Sequence, residues 1–145
     1  MAASLLRILG RPNSFNVRKI LWLCDEIEIP YTREDWGRGF KPTTSPEFLG
    51  LNPVAQIPVV LDGDLVLRES NAIMRYLCQK HGAERLYPSP PERRARVEQW
   101  MDWVAYVWLA VHGTVSRSQT NRPHNMGSLH RQWPRAYRAG CGQVG

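Results

Sequence analysis

Along the first 36 residues, the spacing of the apolar positions changes twice. LLRILG at 5–10 is a short apolar run of the kind that forms a buried strand, and the turn after it is rich in helix-capping residues. Between Phe15 and the stop at Pro30, apolar positions recur at helical spacing: Val17, Ile20, Leu21, Leu23, Cys24 and Ile27. YTREDW at 31–36 then predicts a second, partly exposed strand.

The following stretch predicts a short helix, a hairpin and a longer helix. SPEFLGL has Ser45 at a capping position and Pro46 at the first helical position, which favours a short helix. QIPVVLD and LVLRE flank a tight Asp-Gly-Asp turn, the strongest hairpin signal in the chain. A helix begins at Glu69 or Ser70. The order βαβ, then α, then ββα predicts an α/β fold with a mixed four-stranded sheet and helices on both sides.

Pro58 interrupts the apolar run QIPVV at 56–60. Proline cannot donate to a sheet ladder, so one interpretation is an edge strand that contains an ordinary trans proline. The other is a cis Ile57–Pro58 peptide bond at the start of the strand, because cis bonds are almost confined to X-Pro. The pattern around Pro58 leaves both open.

After the linker at 86–93, RARVEQWMDWVAYVWLAVHG predicts one long helix with apolar side chains on more than one face. So broad an apolar surface needs two partners, and the α/β unit supplies one, so we interpret this helix as the start of a truncated all-α domain. Residues 116–145 have no helical or strand periodicity and no acidic residue, which predicts a disordered basic tail. We therefore divide the chain into 1–85, 86–115 and 116–145.

Charge and cysteine content narrow the classes of function. Residues 1–115 hold 14 basic and 13 acidic side chains, and residues 116–145 hold five arginines, so the net charge of +6 belongs mostly to the tail. The arginines of the tail are not interleaved with aromatic side chains on a structured face, which argues against nucleic-acid binding. The opening MAASLLRILG lacks a cationic leader, and no apolar run approaches the ~20 residues of a membrane helix, so we expect a cytoplasmic protein without membrane association.

The three cysteines form no C-x-x-C pair and have no histidine at zinc-like spacing, which suits a reducing compartment and predicts no metal site. Cys24 and Cys78 fall in apolar helical patterns and are predicted to be core residues.

The order and spacing of several motifs resemble a known family. LGRPNSFNVRKILWLCDE is followed by SPEFLGLNPVAQIPVVLDGDLVLRESNAIMRYL. Together they resemble the N-terminal thioredoxin-like domain of cytosolic glutathione S-transferases, particularly the serine-type, theta-like bacterial ones. The resemblance covers roughly residues 4–113 and reaches the first helix of the C-terminal domain of that family. It implies a thioredoxin-like fold, glutathione as co-substrate, a small electrophile as second substrate and a homodimer.

The resemblance implies a catalytic position in the loop after the first strand, where redox relatives carry C-x-x-C at a helix N-terminus. In this chain the corresponding residues are Asn13-Ser14-Phe15-Asn16, so this position has no sulfur for dithiol exchange. The resemblance gives Ser14 the role of hydrogen-bond donor to the glutathione thiolate, with Asn13 and Asn16 as competing amide donors. The alternative is that Ser14 or Asn13 only caps the helix.

The other implied contacts hold the rest of glutathione. Ser70 would take the γ-glutamyl carboxylate at a helix N-terminus, and Glu69 would take its ammonium group. The Ile57 backbone, directed by a cis bond to Pro58, would pair with the cysteinyl unit, and Gln56 would contact the glycyl end. The alternative without the resemblance is an N-cap at Ser70 and a solvated charge at Glu69.

The resemblance ends near His112, whereas family members continue for several helices that build the electrophile pocket. One hypothesis is that the tail is frame-shifted or otherwise aberrant. We therefore expect a glutathione transferase, whose activity C-terminal truncation can impair. The alternative is a non-catalytic thioredoxin-like module that binds glutathione or a protein.

Overall fold

Four short strands and four α-helices follow one another along residues 5–108, the part of the chain that the computed structural model describes. They are β1 (Leu6–Leu9), α1 (Phe15–Glu26), β2 (Tyr31–Glu34), α2 (Pro46–Leu51), β3 (Val59–Asp62), β4 (Leu65–Arg68), α3 (Ser70–Lys80) and α4 (Pro91–Trp103), with a π-helical segment, Val104–Trp108, after α4. The predicted order βαβ-α-ββα is confirmed. The predicted tail and the end of the predicted long helix lie outside the described residues.

The strands form one mixed sheet in the order β2-β1-β3-β4. β1 runs parallel to β2, with Leu6 opposite Tyr31, and antiparallel to β3, with Ile8 opposite Val60. β3 and β4 are antiparallel and joined by a tight turn in which Gly63 has φ +60°. A parallel pair needs a crossover, and α1 provides it. The mixed four-stranded sheet is therefore as predicted.

The edge-strand interpretation of QIPVV is wrong. β3 lies between β1 and β4, and it begins at Val59, directly after Pro58. Pro58 therefore stands outside the ladder, where the missing N–H removes no sheet hydrogen bond. The Ile57–Pro58 peptide bond is cis, as the other interpretation expected.

Each face of the sheet carries its own apolar cluster, because neighbouring residues of a strand point to opposite faces. On one side α1 and α3 pack against Ile8 and Val60, in a cluster that also includes Cys24 and Cys78, as predicted. On the other side α2 supplies Phe48, which packs with Leu9, Trp36 and Val59. Helices on both sides are thus confirmed. Burying one such aliphatic side chain contributes about 1.5–3 kcal/mol to folding.

The second strand is shorter than predicted, because β2 ends at Glu34. Trp36 has left the strand and is only 1% exposed. Its ring lies 5.1 Å from the ring of Phe48, centroid to centroid. The chain therefore leaves the sheet edge early enough to place the indole in the core.

α4 also differs from its prediction. It begins at Pro91, earlier than expected, and regular α-helix gives way at Val104 to the π-helical segment. Val97 packs against the cluster under α1 and α3, but no residue of α4 is fully buried and Trp100 is 58% exposed. The predicted domain limits at 85 and 115 stay predictions. Among the described helices, none is both long enough and apolar enough to cross a bilayer.

Candidate functional site

The turn after β1 places Ser14 at the N-cap position of α1. Its backbone is extended (φ −78°, ψ 127°), and its carbonyl oxygen accepts a hydrogen bond from the Arg18 N–H at 2.9 Å. The Ser14 side chain makes no capping hydrogen bond. The capping interpretation is therefore correct for the position of Ser14 and wrong for its hydroxyl. Ser14 is half-buried, and Asn13 is exposed.

Asn52 shapes the loop that leads into β3. Its side-chain amide donates to the Gln56 carbonyl oxygen at 2.8 Å, and its side-chain oxygen accepts from the Val54 N–H at 3.2 Å. The residue is only 4% exposed, and a buried amide needs such partners to offset its desolvation. Asn52 thus fixes the backbone at Gln56, directly before the cis Ile57–Pro58 bond.

Glu69 and Ser70 lie where β4 ends and α3 begins. Glu69 is the N-cap residue, with φ 65° and ψ 109°, a left-handed conformation that is uncommon for a residue other than glycine. Its side chain makes no capping hydrogen bond. Ser70 is the first helical residue, so its predicted N-cap position is wrong by one residue. Strained backbone of this kind is a reason to look for a functional site.

The Ser70 hydroxyl connects the two helix N-termini. Ser70 is 8% exposed, and its Oγ donates to the side-chain oxygen of Asn16 on α1 at 3.2 Å. The first N–H groups of α3 have no helical acceptor and carry the positive end of the helix dipole, so an anion is favoured beside them. This junction thus places an anion-binding helix end next to the first turn of α1.

These segments enclose a cavity of about 210 Å³. Its walls are formed by Asn16, Asn52, Gln56, Ile57, Pro58, Glu69 and Ser70. Six of the expected site residues are thus brought together, whereas Asn13 and Ser14 are not among the lining residues. Asn52 was not expected, although Asn-Pro in LNPVAQIPV is a turn signal that points to a structured loop.

The polarity of the cavity suits a zwitterion attached to a peptide. The carboxylate of Glu69 favours a cation, and the N-terminus of α3 one residue later favours an anion. Ammonium and carboxylate groups on one carbon can satisfy both. The backbone of Ile57, which precedes the cis bond to Pro58 and the start of β3 at Val59, offers an N–H and a carbonyl oxygen that can pair with a short peptide. In the described range, no group of three or more His, Cys, Asp or Glu is placed to hold a metal ion.

A family model described as "Glutathione S-transferase, N-terminal domain" matches residues 4–79, which is more than half of the chain. The chain belongs to the glutathione S-transferase family. The matched region contains the cavity, and the thioredoxin-like fold of that family's N-terminal domain is the fold described above.

Individual relatives agree with this membership. Glutathione S-transferase GstB of Escherichia coli K12 is 44% identical over 101 residues, 68% of this chain and 49% of that protein. Dichloromethane dehalogenase of Methylorubrum extorquens is 33% identical over 103 residues, 70% of this chain and 36% of that protein. The chain thus spans about half the length, or less, of these curated relatives.

A solved structure extends the comparison. The theta class glutathione S-transferase from the citrus canker pathogen Xanthomonas axonopodis pv. citri, crystallised with glutathione bound, superposes with a TM-score of 0.74 at 36% identity. The match covers 92% of this chain and 61% of that one.

Proposed function

We propose that the chain binds glutathione in the 210 Å³ cavity and transfers its thiolate to a small electrophile. The observation that carries the proposal is the convergence of Glu69, Ser70 and Ile57 on one cavity. These residues come from the start of α3 and from the loop before β3. They offer a carboxylate, an anion-binding helix end and a peptide backbone.

Each part of glutathione has a partner in this proposal. The γ-glutamyl carboxylate accepts hydrogen bonds from the Ser70 hydroxyl and the first N–H groups of α3, and the γ-glutamyl ammonium donates to Glu69. The cysteinyl unit pairs with the backbone of Ile57, and Gln56 contacts the glycyl end. Hydrogen bonds that involve an ionised group are roughly twice as strong as neutral ones, so the γ-glutamyl end, which carries both a carboxylate and an ammonium group, contributes most to affinity.

The reaction requires that the thiol be ionised near neutral pH. A free thiol has a pKa of about 8.5, and lowering it by two requires about 2.7 kcal/mol of preferential interaction with the thiolate. A hydrogen bond from the Ser14 hydroxyl together with the N-terminal end of α1 is of that order. Asn13 and Asn16 are the competing donors.

The step itself is a nucleophilic substitution or addition. The thiol proton goes to solvent, and the sulfur lone pair forms the new S–C bond. The electron pair of the broken bond leaves with the leaving group, or moves onto the electrophile and is then protonated. One curated relative is named a dichloromethane dehalogenase, so dichloromethane belongs in the test panel beside an activated aryl chloride.

One observation favours the second candidate, a non-catalytic module that binds glutathione. Asn13 and Ser14, the residues expected to activate the sulfur, are not among the residues that line the cavity. Binding without conjugation is the result that this candidate predicts.

The proposal also includes a homodimer and a reducing, cytoplasmic setting. Cys24 and Cys78 are buried free thiols, which suits such a setting. Trp22 and Trp100 are large apolar side chains, 75% and 58% exposed, that association of two chains could cover. Analytical ultracentrifugation tests the association.

The experiment combines a thermal shift with a conjugation assay on the 145-residue chain. Glutathione should raise the unfolding temperature of the wild type and of Ser14→Ala, but raise that of Glu69→Gln much less, because Glu69 holds the ammonium group. Glu47→Gln, an exposed carboxylate on α2, is the matched control and should respond like the wild type.

Conjugation separates the two candidate functions. Turnover that is lost in Ser14→Ala while glutathione binding persists supports the transferase. Binding without turnover in the wild type supports the non-catalytic module. No stabilisation of the wild type by glutathione contradicts both.

A further inference from the structure

Two side-chain contacts connect the first turns of α1 and α3. Ser70 Oγ donates to Asn16 Oδ1 at 3.2 Å, and one residue further along α3 the Lys19 ammonium donates to Asn71 Oδ1 at 2.8 Å. Both contacts join residues more than 50 positions apart in sequence, so neither is a local helix contact. Asn16 and Ser70 line the proposed glutathione cavity, whereas Lys19 and Asn71 are not among its lining residues.

Lys19 occupies an unusual place for a lysine. Its side chain lines a second, largely apolar cavity of about 410 Å³ together with Trp22, Leu23, Glu26, Met74 and Leu86. Its ammonium lies 5.8 Å from the centroid of the Phe15 ring. Burial lowers the pKa of Lys19, and the nearby charge of Glu69 partly opposes that shift. Partial desolvation of this cation opposes stability, and the hydrogen bond to Asn71 and the nearby Phe15 ring offset that cost.

Both polar atoms of the Asn71 side-chain amide make hydrogen bonds. Its oxygen accepts from Lys19, and its nitrogen donates to the Met101 carbonyl oxygen of α4 at 2.9 Å. Asn71 follows Glu69 and Ser70 directly, at the point where Glu69 has its left-handed backbone. Whatever fixes Asn71 therefore also restricts the two residues before it.

We propose that Lys19 is a positioning residue for glutathione, which acts through Asn71 to hold the Glu69–Ser70 segment against the N-terminus of α1. The inference rests on the proposed function and deepens it. It explains why a half-buried cation stands beside an apolar cavity: the charge strengthens the hydrogen bond that holds the γ-glutamyl segment at the start of α3 against the N-terminal end of α1, where the thiolate would lie.

The test compares stability with affinity in the full chain. Lys19→Met keeps the length of the side chain and removes its charge and donor. Its unfolding temperature without ligand should change little, because methionine suits the apolar cavity while the hydrogen bond to Asn71 is lost. Its dissociation constant for glutathione, from isothermal titration calorimetry, should rise roughly tenfold, as for the loss of one hydrogen bond to a charged group. Lys19→Arg should restore most of the affinity.

Two further variants test whether Lys19 acts through Asn71. Asn71→Ala should weaken glutathione binding to a similar degree, and the double variant should be little weaker than either single one, because coupled residues are not additive. Arg18→Met is the matched control: it removes an exposed positive charge from the same turn of α1 and should leave affinity unchanged.

The outcomes separate this inference from the proposed function. If the wild type does not bind glutathione, the proposed function is wrong. If the wild type binds and Lys19→Met binds equally well, only the role of Lys19 is wrong. Additive losses in the double variant would rule out action through Asn71. A fall in unfolding temperature together with affinity, not restored by arginine, would reduce Lys19 to a purely structural role.

Discussion

At the scale of single residues, Gly10 controls how closely three segments approach each other. A Cβ at this position would lie 2.5 Å from Val17 Cγ2 and 3.4 Å from Ile57 Cβ. The valine methyl belongs to a stiff, β-branched side chain on α1 that is itself buried, so it cannot move away easily. Gly10 is thus the residue that lets α1 and the loop carrying Ile57 meet beside the cavity.

We predict that Gly10→Ala lowers the free energy of unfolding by about 1–3 kcal/mol, the usual cost of adding a methyl group to a packed core. Urea denaturation measures the change. Gly50→Ala is the control, because Gly50 is a helical residue on α2 with no heavy atom within 4 Å of a new Cβ. It should be neutral or slightly stabilising. Equal stability of Gly10→Ala and the wild type would contradict the packing described here.

The residues of the candidate site differ in how far the sequence could predict their positions. Ile57, Pro58, Glu69 and Ser70 could be predicted because their motifs occur in a fixed order. Asn52 could not, because its part is to hold another segment through hydrogen bonds that appear only once the loop folds. The side-chain conformation of Ser14 was likewise open, since serine at an N-cap position favours capping but does not require it.

At the scale of elements, Asp62 joins the hairpin to α3. The side chain of Asp62 at the end of β3 is 8% exposed, and it accepts hydrogen bonds from the Tyr76 hydroxyl, at 2.7 Å, and from the Lys80 ammonium. The hydrogen bond from Lys80, with help from Tyr76 and against the effect of burial, lowers the pKa of Asp62 below its usual value. The ionised form therefore stabilises the contact between β3 and α3.

The sign of the pH dependence follows from that lowered pKa. The contribution of Asp62 to stability is fully present above its pKa in the unfolded chain, about 3.9, and is lost as pH falls through the lower pKa of the folded state. We predict that Asp62→Ala lowers the free energy of unfolding by about 1–3 kcal/mol near neutral pH. The difference in the free energy of unfolding between Asp62→Ala and the wild type should shrink as the pH falls below the folded-state pKa of Asp62.

Urea titrations at neutral and acidic pH give the measurement, with Asp64→Ala as the control because Asp64 is exposed in the adjacent turn. A difference between Asp62→Ala and the wild type that stayed constant with pH would rule out an ionised Asp62 as the stabilising form.

Helices and strands were predictable where the spacing of apolar residues or a turn signal pointed to one kind of element. The elements up to residue 80 follow from short apolar runs, helical apolar spacing and the Asp-Gly-Asp turn, with Pro30 ending one helix and Pro46 beginning the next. α4 was less predictable, because its apolar side chains face several directions and the spacing does not reveal where a regular helix changes to a π-helical segment. The earlier start at Pro91 fits the tolerance of proline in a first helical turn.

At the scale of the whole molecule, the core of the α/β unit depends on packing without disulfides. Cys24 and Cys78 are both free and buried in the cluster beneath α1 and α3. Burial, with a smaller effect from Asp25, raises the pKa of Cys24 to about 12, and burial also raises the pKa of Cys78. Both thiols should therefore be unreactive while the fold is intact.

We predict slow labelling of these thiols by a soluble thiol reagent in native buffer, and fast labelling in denaturant. The measurement uses Cys141→Ser, which leaves only Cys24 and Cys78. At about pH 8, a thiol with a pKa near 12 is ionised in roughly one molecule in ten thousand. Adding Thr44→Cys provides an exposed reference thiol that should react at once. Fast native labelling of Cys24 would contradict the described core.

The proposed function requires that glutathione occupy the cavity between the start of α3 and the loop before β3. Amide chemical shifts of the isotopically labelled chain during a glutathione titration test it most directly. We predict saturable shifts at Asn16, Gln56, Ile57, Glu69 and Ser70, five of the seven residues that line the cavity. No saturable shift, or shifts confined to the apolar cavity around Trp22 and Met74, would contradict the account.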